Sequence, residues 1–414
     1  MTVTPPSRSD SIVTNMRVLY CTDSWPPQVN GVSVVTALSV AGLLDRGWDV
    51  HVVAPRYPVG EVAPRPHAPR HGGRTNGLGI TTLASVPLPV YSDVRLAAPH
   101  LGSVVDAVAR FKPDLVHCAT EFVIGRLGQM AAQRAEVPII TSYHTDFGRY
   151  AASYGVPWLR GSIEGYLGRF HRRAVRTLTP STVSRESALA LGAPRVDVWG
   201  CGVDIATFTP HRRSTALREQ LGLGDAFTVL YVGRLAPEKN VEVVLDAFAA
   251  ARALRPDIPM RLVIAGAGPS EAALRARGEP DVMWMGALDR ERDLPALYAS
   301  ADCFAFASVT ETLGLVVLEA MASGLPVVAA PVGGVREHLR DDYNGLTYAA
   351  HDASRCARAM VSLASSAALR ARLSEGALHT ATALDWRREL DRLDAIYREC
   401  VPASITRVNL RPAA

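Results

Sequence analysis

Short apolar segments that suit β-strands alternate with helical segments along this chain, and the alternation starts twice. The first start is a strand at Arg17–Cys21, followed by helical spacing at 32–44 and a second strand at 49–54. A strand, a helix and a strand in this order form a βαβ unit, whose strands lie parallel in one sheet. The second start follows Phe208–Pro210, with a strand at 227–232. The sequence therefore predicts an α/β protein with two Rossmann-like, doubly wound domains.

The other predicted strands extend both sheets. Further strands are predicted at 114–118, 138–142, 177–179, 196–199, 261–265, 282–285, 303–307 and 326–330, with helices at 102–111 and after Asn240. A length of 414 residues is enough for two separate cores. We expect a flexible tail at 1–15, an N-terminal domain at 16–210, a C-terminal domain at 211–384, and a closing helix and tail at 385–414.

Composition narrows the class of protein. No run reaches the roughly 18 to 20 apolar residues of a membrane-spanning helix, and the N-terminus has no apolar core of signal-peptide length, so we expect a cytoplasmic protein. The six cysteines come no closer than the 44 positions between Cys356 and Cys400, which excludes a Cys-x-x-Cys pair. We expect reduced, mostly buried thiols.

Charge is unevenly distributed along the chain. Up to residue 200 there are 20 Arg and Lys against 14 Asp and Glu, a balance of +6; the rest has 24 against 26, a balance of −2. This asymmetry favours an anionic partner for the first half, with a solvated basic face as the alternative.

Two glutamates separated by seven residues form the strongest motif, Glu311 to Glu319, with Gly314 opening an apolar helix that continues to Ser323. At about 1.5 Å rise per residue, Glu319 lies within about two turns of the helix start, so both carboxylates can face one ligand. The backbone N–H groups of Leu313, Gly314 and Leu315 would bind a phosphate at that N-terminus. The alternative is a surface helix with an acidic cap.

Two cations follow the strand at 227–232, in Gly233-Arg234-x4-Lys239. Ligands of open parallel sheets bind at the carboxyl ends of strands, and Arg with Lys can neutralise a diphosphate there. The chain has only two lysines, Lys112 and Lys239, which makes a lysine at this place unusual. Chance placement is the alternative.

The loop from Trp25 to Ser33 joins the first strand to its helix without Gly-x-Gly-x-x-Gly, which disfavours NAD. It keeps Asn30-Gly31 at the helix start, where a missing Cβ lets a phosphate or sugar approach the backbone. A simple tight turn explains the same residues nearly as well.

Together these motifs resemble family-four retaining glycosyltransferases of the GT-B fold, over most of residues 16 to 400. The resemblance rests on Gly233-Arg234-x4-Lys239, Glu311-x7-Glu319, Asn30-Gly31 and Cys201-Gly-Val-Asp204. Within the family the chain looks most like bacterial lipid-directed transferases, such as GDP-mannose-dependent α-mannosyltransferases, because of Trp25–Val32 and Ser142-Tyr-His144-Thr-Asp146 followed by Tyr154-Gly155.

The resemblance implies a role for each matching residue. Arg234 and Lys239 would hold the diphosphate, Glu311 would contact the transferred sugar, and Glu319 would hydrogen-bond the ribose. Gly31 would face the distal phosphate, and His144 would be catalytic, with a buried structural histidine as its alternative. The N-terminal domain would bind the acceptor and the C-terminal domain the nucleotide sugar, GDP-mannose or a UDP-sugar.

The resemblance also implies a reaction without a cofactor. The leaving phosphate oxygen would help deprotonate the incoming hydroxyl, while Arg234, Lys239 and the helix amides replace a metal. The sequence has no Asp-x-Asp motif, so no metal is expected. A sugar-nucleotide epimerase and a silent nucleotide-binding module stay as alternatives; a phosphorylase would need a pyridoxal lysine, which neither lysine suits. Nucleic-acid binding is disfavoured because aromatics are not interleaved with the basic residues.

The segment from Trp158 to Arg176 has five arginines and one acid, interspersed with apolar residues. Such a helix suits an anionic bilayer, although three glycines weaken it. We therefore predict Arg169, Arg172 and Arg173 to contact an anionic or lipid acceptor at the inner face of the membrane, with the basic stretch 65–74 contributing. A core-packed helix with a solvated basic edge, and a soluble sugar or metabolite as acceptor, is the alternative.

Overall fold

Two parallel β-sheets with helices around them, together with one short antiparallel pair of strands, make up the described part of the chain. The computed structural model describes residues 15–28, 30–58, 77–88, 91–146, 157–200 and 202–401. The strands are β1 (Arg17–Cys21), β2 (Asp49–Pro55), β3 (Leu78–Leu83), β4 (Ser85–Leu88), β5 (Tyr91–Ala97), β6 (Leu115–Cys118), β7 (Ile139–Ser142), β8 (Arg176–Thr179), β9 (Val196–Val198), β10 (Phe227–Val232), β11 (Met260–Ala265), β12 (Val282–Gly286), β13 (Cys303–Phe306), β14 (Val327–Ala329) and β15 (Gly345–Thr347). The α-helices are α1 (Gly31–Asp45), α2 (Leu101–Phe111), α3 (Val123–Arg134), α4 (Arg160–His171), α5 (Thr182–Ala190), α6 (Thr215–Gln220), α7 (Val241–Leu254), α8 (Glu271–Arg275), α9 (Leu294–Ser300), α10 (Leu315–Ala322), α11 (Val335–His338), α12 (Ala353–Ser365), α13 (Ala367–Ala383) and α14 (Trp386–Cys400).

The first sheet has the strand order β3-β2-β1-β6-β7-β8-β9. Val18 of β1 lies opposite Val50 of β2 and Leu115 of β6, and both pairings are parallel. The residues of β6 and β7 are all buried, as expected for parallel strands that are covered on both faces. The order reverses between β1 and β6, which is the switch point of a doubly wound sheet.

The second sheet has the order β12-β11-β10-β13-β14-β15. Val229 of β10 pairs in parallel with Leu262 of β11 and with Cys303 of β13. Every residue of β10 is buried. The switch point lies between β10 and β13, so the segments that follow these two strands leave the sheet side by side at its carboxyl edge. The predicted fold class, with two doubly wound sheets, is therefore confirmed.

The closing helix α14 packs through one side of its surface. Leu390, Leu393, Ile396 and Tyr397 are buried. The hydroxyls of Tyr397 and Tyr20 lie 2.5 Å apart, and Tyr397 also hydrogen-bonds Nδ1 of His117. The other ring nitrogen of His117 contacts Oγ of Ser142 at 2.7 Å, so a buried polar chain links α14 to β1, β6 and β7.

The described residues form two compact units: one holds residues up to Ser142, Arg173–Arg176 and residues from Leu393, and the other holds Tyr143–Arg172 and Thr177–Arg392. The predicted domain ends at 210 and 384 stay predictions.

Four of the five described cysteines are buried and all five are free thiols. The predictions for most of the tail 1–15, the stretch 65–74, Cys201 and Tyr154-Gly155 fall outside the described residues.

Candidate active site

The segment after β10 places two predicted phosphate ligands next to each other in the chain. A 3₁₀ turn, Pro237–Lys239, follows Arg234, and Pro237 occupies its first position, where a backbone N–H would have no partner. Arg234 pairs with Glu238, whose side chain is fully buried. Burial of that carboxylate is tolerable because the guanidinium neutralises it, and the pairing in turn fixes the position of Arg234.

Lys239 and Glu311 are brought together, although 72 positions separate them in the sequence. Nζ of Lys239 donates to Oε1 of Glu311, and both side chains are only 16% exposed. Burial acts to raise the pKa of Glu311, but the ammonium of Lys239 and a hydrogen bond from Ser308 outweigh it, so the pKa of Glu311 is lowered. Glu311 is therefore a carboxylate held in place by a cation at neutral pH.

Gly314 is the N-cap of helix α10 and so stands where the motif predicts the start of a helix. Gly314 has φ 83°, a left-handed conformation that glycine adopts without strain, and no side chain caps the helix there. Among the described residues, no hydrogen bond reaches the backbone N–H groups of Leu313, Gly314 or Leu315. Backbone donors without a partner at a helix N-terminus are the arrangement expected at a phosphate-binding helix start.

A close approach between two backbone segments fixes the loop that carries Glu311. The N–H of Gly334 donates to the carbonyl of Glu311 at 2.8 Å. A Cβ atom at Gly334 would lie 2.2 Å from the carbonyl oxygen of Thr312, which no side chain could occupy. Gly334 is therefore required for the loop before α10 to lie where it does.

Glu319 is less accessible than the sequence suggested. It is 2% exposed, Nε of Arg290 donates to its Oε1 at 2.8 Å, and the hydroxyl of Tyr298 donates to its Oε2 at 3.2 Å. Burial raises the pKa of Glu319 in spite of Arg290. Its predicted hydrogen bond to a ribose stays a prediction, and a ribose would have to share this carboxylate with Arg290.

His144 follows β7 and is partly buried. Burial lowers its pKa to about 4, so its imidazole is neutral at physiological pH.

Gly31 is the first residue of α1, where the side chain of Asn30 accepts a hydrogen bond from the N–H of Ser33. A Cβ atom at Gly31 would meet no atom within 4 Å, so packing does not require glycine at this position.

The predicted cationic segment forms α4, with Arg169, Arg172 and Arg173 exposed at its end. Leu167 and Phe170 are 2% and 1% exposed, so they pack in the core. Trp158 is 76% exposed and Tyr166 is 36% exposed. Arg176, counted with the cationic residues of the segment, is instead 3% exposed and pairs with Glu399 at 3.0 Å. That part of the expectation is wrong, because Arg176 begins the buried strand β8.

Sequence reasoning missed Glu238, Arg290 and Tyr298. Glu238 sits inside the Arg234-x4-Lys239 motif, four positions after Arg234, and that spacing was a usable signal. Arg290 and Tyr298 gave no such signal, because their contact with Glu319 depends on how the segment after β12 returns to α10.

Within the described residues, no group of three or more His, Cys, Asp or Glu side chains is placed to hold a metal ion. The helices described in this structure include none with both the length and the apolar character needed to cross a bilayer.

Two doubly wound sheets of this kind are the GT-B architecture of glycosyltransferases. The solved structure of the Anabaena protein HepE in complex with UDP-glucose matches 93% of this chain and 100% of that chain, with a TM-score of 0.71 at 19% identity. At this identity the likeness concerns the fold, and it confirms the predicted GT-B class.

The sequence then places the chain within that class. The profile of "Glycosyltransferase Family 4" matches residues 29–207, and that of "Glycosyl transferases group 1" matches residues 226–366. A GDP-mannose-dependent alpha-mannosyltransferase of Mycobacterium tuberculosis is 37% identical over 80% of this chain and 83% of its own. The chain belongs to glycosyltransferase family 4 and is a hexosyltransferase similar to its mannosyltransferases.

Two further relatives differ in what they act on. A D-inositol 3-phosphate glycosyltransferase of Salinispora arenicola is 33% identical over 70% of this chain and 69% of its own. An alpha-monoglucosyldiacylglycerol synthase of Streptococcus pneumoniae is 29% identical over 81% of this chain and 76% of its own.

Proposed function

We propose that this protein is a retaining, metal-independent mannosyltransferase that moves mannose from GDP-mannose to a lipid or glycolipid acceptor. The observation that carries the proposal is the arrangement after β10 and before α10. Lys239 and Glu311 are in contact there, Arg234 is close in the chain, and the N–H groups at Gly314 have no partner among the described residues. Such groups suit a diphosphate that carries a sugar.

Each residue of the proposed site has its own role in the transfer of the sugar. The bond between the anomeric carbon and the diphosphate breaks, a bond to the acceptor oxygen forms on the same face, and the acceptor proton passes to the leaving phosphate oxygen. Arg234, Lys239 and the α10 amides stabilise the charge that develops on the diphosphate. Glu311 holds the sugar, and neutral His144 accepts or donates a hydrogen bond at its reacting side.

GDP-mannose is favoured because the relatives with that donor in their names are similar to this chain over four fifths of its length. A lipid acceptor is favoured by the exposed arginines of α4, by the first half's charge of +6 and by the diacylglycerol-directed relative. The inositol-phosphate relative favours a second candidate, a soluble phosphorylated polyol as acceptor at the same donor site.

A donor and acceptor panel tests the proposal. Purified protein is incubated with GDP-mannose, UDP-glucose or ADP-glucose, with either diacylglycerol-based vesicles or inositol phosphate, in buffer containing EDTA. The product's anomeric configuration is read by NMR. We expect α-linked mannose on the lipid, at the same rate with and without EDTA. A β-linked product, an absolute need for Mg²⁺ or Mn²⁺, or donor interconversion without acceptor would each contradict the proposal.

A further inference from the structure

The hydroxyl group of Thr312 joins the loop that carries Glu311 to the backbone of His144. Oγ1 of Thr312 donates to the carbonyl oxygen of His144 at 2.6 Å, although 168 positions separate the two residues in the sequence. Both belong to one compact unit, which holds Tyr143–Arg172 and Thr177–Arg392. The proposed function assigns Glu311 to the sugar and His144 to its reacting side, so Thr312 connects these two groups.

The backbone at Thr312 is a firm anchor for this hydrogen bond. The N–H of Gly334 donates to the carbonyl of Glu311 at 2.8 Å, and a Cβ atom at Gly334 would lie 2.2 Å from the carbonyl oxygen of Thr312. The two backbone segments are therefore in close contact, and the loop has little room to shift. Glu311 is held in addition through its carboxylate, which accepts a hydrogen bond from Lys239.

His144 has no side-chain partner to orient its imidazole. Among the described residues, neither ring nitrogen of His144 has a hydrogen-bond partner, whereas its carbonyl accepts from Thr312. A histidine that acts at a reacting centre is usually oriented by a second group bound to its other ring nitrogen. Because the described residues supply no such group, the position of the imidazole depends on the backbone, and the hydroxyl of Thr312 holds that backbone directly.

We propose that Thr312 is a positioning residue, which sets the imidazole of His144 against the sugar that Glu311 binds. A hydroxyl that donates to the carbonyl acts on the backbone, so it leaves both ring nitrogens of His144 to the substrate. Displacement of a reacting group by about 1 Å can lower a rate about a hundredfold, so one hydrogen bond at this place can matter. The inference rests on the proposed function and adds to it a residue that acts through His144.

Three variants of the loop separate this role from packing. Thr312→Val keeps the β-branched shape but cannot donate a hydrogen bond, whereas Thr312→Ser keeps the hydroxyl. Thr310→Val is the matched control, because the buried hydroxyl of Thr310 has no hydrogen-bond partner among the described residues. We would measure kcat and KM with the donor and acceptor that react fastest with wild type, and the midpoint of His144 by NMR titration.

Loss of the hydroxyl at position 312 should affect both measurements. Thr312→Val should lower kcat by about tenfold to a hundredfold and keep the KM for the donor within about twofold, since the groups proposed to bind the diphosphate stay in place. The pKa of His144, which burial lowers to about 4, should rise toward its ordinary value near 6.5 as the imidazole becomes less buried. Thr312→Ser and Thr310→Val should match wild type within about twofold in kcat, with an unchanged His144 midpoint.

An unchanged kcat or an unchanged His144 midpoint in Thr312→Val would overturn the inference. So would a Thr312→Ser or Thr310→Val variant that is as slow as Thr312→Val, because packing rather than the hydroxyl of Thr312 would then decide the rate. Each of these results leaves the transferase proposal intact. If wild type transferred no sugar from any donor of the panel, the proposed function would fail instead, and the titration would still decide whether Thr312 holds His144 in place.

Discussion

At the scale of single residues, three carboxylates of the proposed donor site are each paired with a cation. The pairs are Glu238 with Arg234, Glu311 with Lys239, and Glu319 with Arg290. A buried ion pair adds little net stability, but removing one partner leaves an uncompensated buried charge. The pairs therefore keep the cations in place, and a bound diphosphate would compete with the carboxylates for them.

Variants of the Lys239 and Glu311 pair should separate function from stability. Lys239→Ala and Glu311→Gln should each abolish transfer and leave the fold intact, because both remove charge at the proposed donor site. Lys239→Ala should also lose about 1 to 3 kcal/mol of unfolding free energy at pH 7, and the double variant should recover part of it. Urea unfolding and transfer assays at saturating donor measure both effects.

The pH dependence follows from the lowered pKa of Glu311. A carboxyl group with a depressed folded-state pKa contributes stability above its unfolded pKa, and that contribution is lost as the pH falls through the folded value. In Lys239→Ala the pKa of Glu311 should rise, so the penalty of the substitution should shrink from pH 7 to pH 5. A near wild-type transfer rate in either single variant would rule out their assignment to the site.

His144 should make the folded protein sensitive to mild acid. Burial lowers its pKa to about 4, whereas an unfolded histidine titrates near 6.5. Between these values only the unfolded state takes up the proton, so stability should fall by at most about 1.4 kcal/mol per pH unit as the pH drops from 6.5 to 4. Urea unfolding of His144→Gln should show a smaller fall over this range. An NMR titration that places the His144 midpoint near 6.5 would contradict this prediction.

At the scale of elements, the chain from Tyr20 through Tyr397 and His117 to Ser142 explains how α14 is held. All four side chains are at most 2% exposed, so each lost hydrogen bond leaves a buried partner. Tyr397 lies in the middle of the chain and Tyr20 at its end. Tyr397 thus hydrogen-bonds both Tyr20 and His117, and substitution of Tyr20 is the matched change that breaks only the first of these two bonds.

Removing each hydroxyl should reveal that difference. Tyr397→Phe breaks the hydrogen bonds to Tyr20 and His117 and should cost about 2 to 3 kcal/mol, whereas Tyr20→Phe keeps the bond between Tyr397 and His117 and breaks only the bond to Tyr397, which should cost about 1 kcal/mol. Chemical denaturation of both variants measures these losses. Equal costs would show that the middle of the chain is not what holds α14.

The individual strands show why much of the fold could be predicted from the sequence. Strands such as β1 and β10 are continuous apolar runs bounded by helices, and their predicted ends match the structure. The edge strands β3 and β15 and the antiparallel pair β4 and β5 were missed. Strand β3 alternates exposed and covered residues and includes Gly79, and β15 has only three residues. Arg290 could not be predicted at the site either, since its contact with Glu319 depends on the course of the backbone between β12 and α10.

At the scale of the whole molecule, the charged and exposed residues in and around α4 bear on whether the acceptor lies in a membrane. The apolar residues Leu167 and Phe170 of α4 are used in the core, as the core-packed alternative required. What stays at the surface is Trp158, Tyr166 and the arginines at the end of α4. Any attachment to a bilayer through this segment should therefore be mainly electrostatic, with Trp158 as its largest exposed apolar contact.

Liposome flotation decides whether that surface meets a membrane. Vesicles with phosphatidylglycerol or phosphatidylinositol should carry the wild-type protein at low salt and release it as salt screens the attraction, because about 10 Å of screening length remains at 0.1 M. Changing Arg169, Arg172 and Arg173 together to Ser should abolish flotation.

The matched control changes Arg292, Arg355 and Arg387 to Ser; their side chains are 77%, 69% and 71% exposed, and the net charge falls by the same amount. If the control also stays unbound, overall charge rather than α4 directs attachment. If wild type ignores anionic vesicles and a soluble acceptor reacts at full rate, the acceptor is not a membrane lipid, and only the family's transfer chemistry stands.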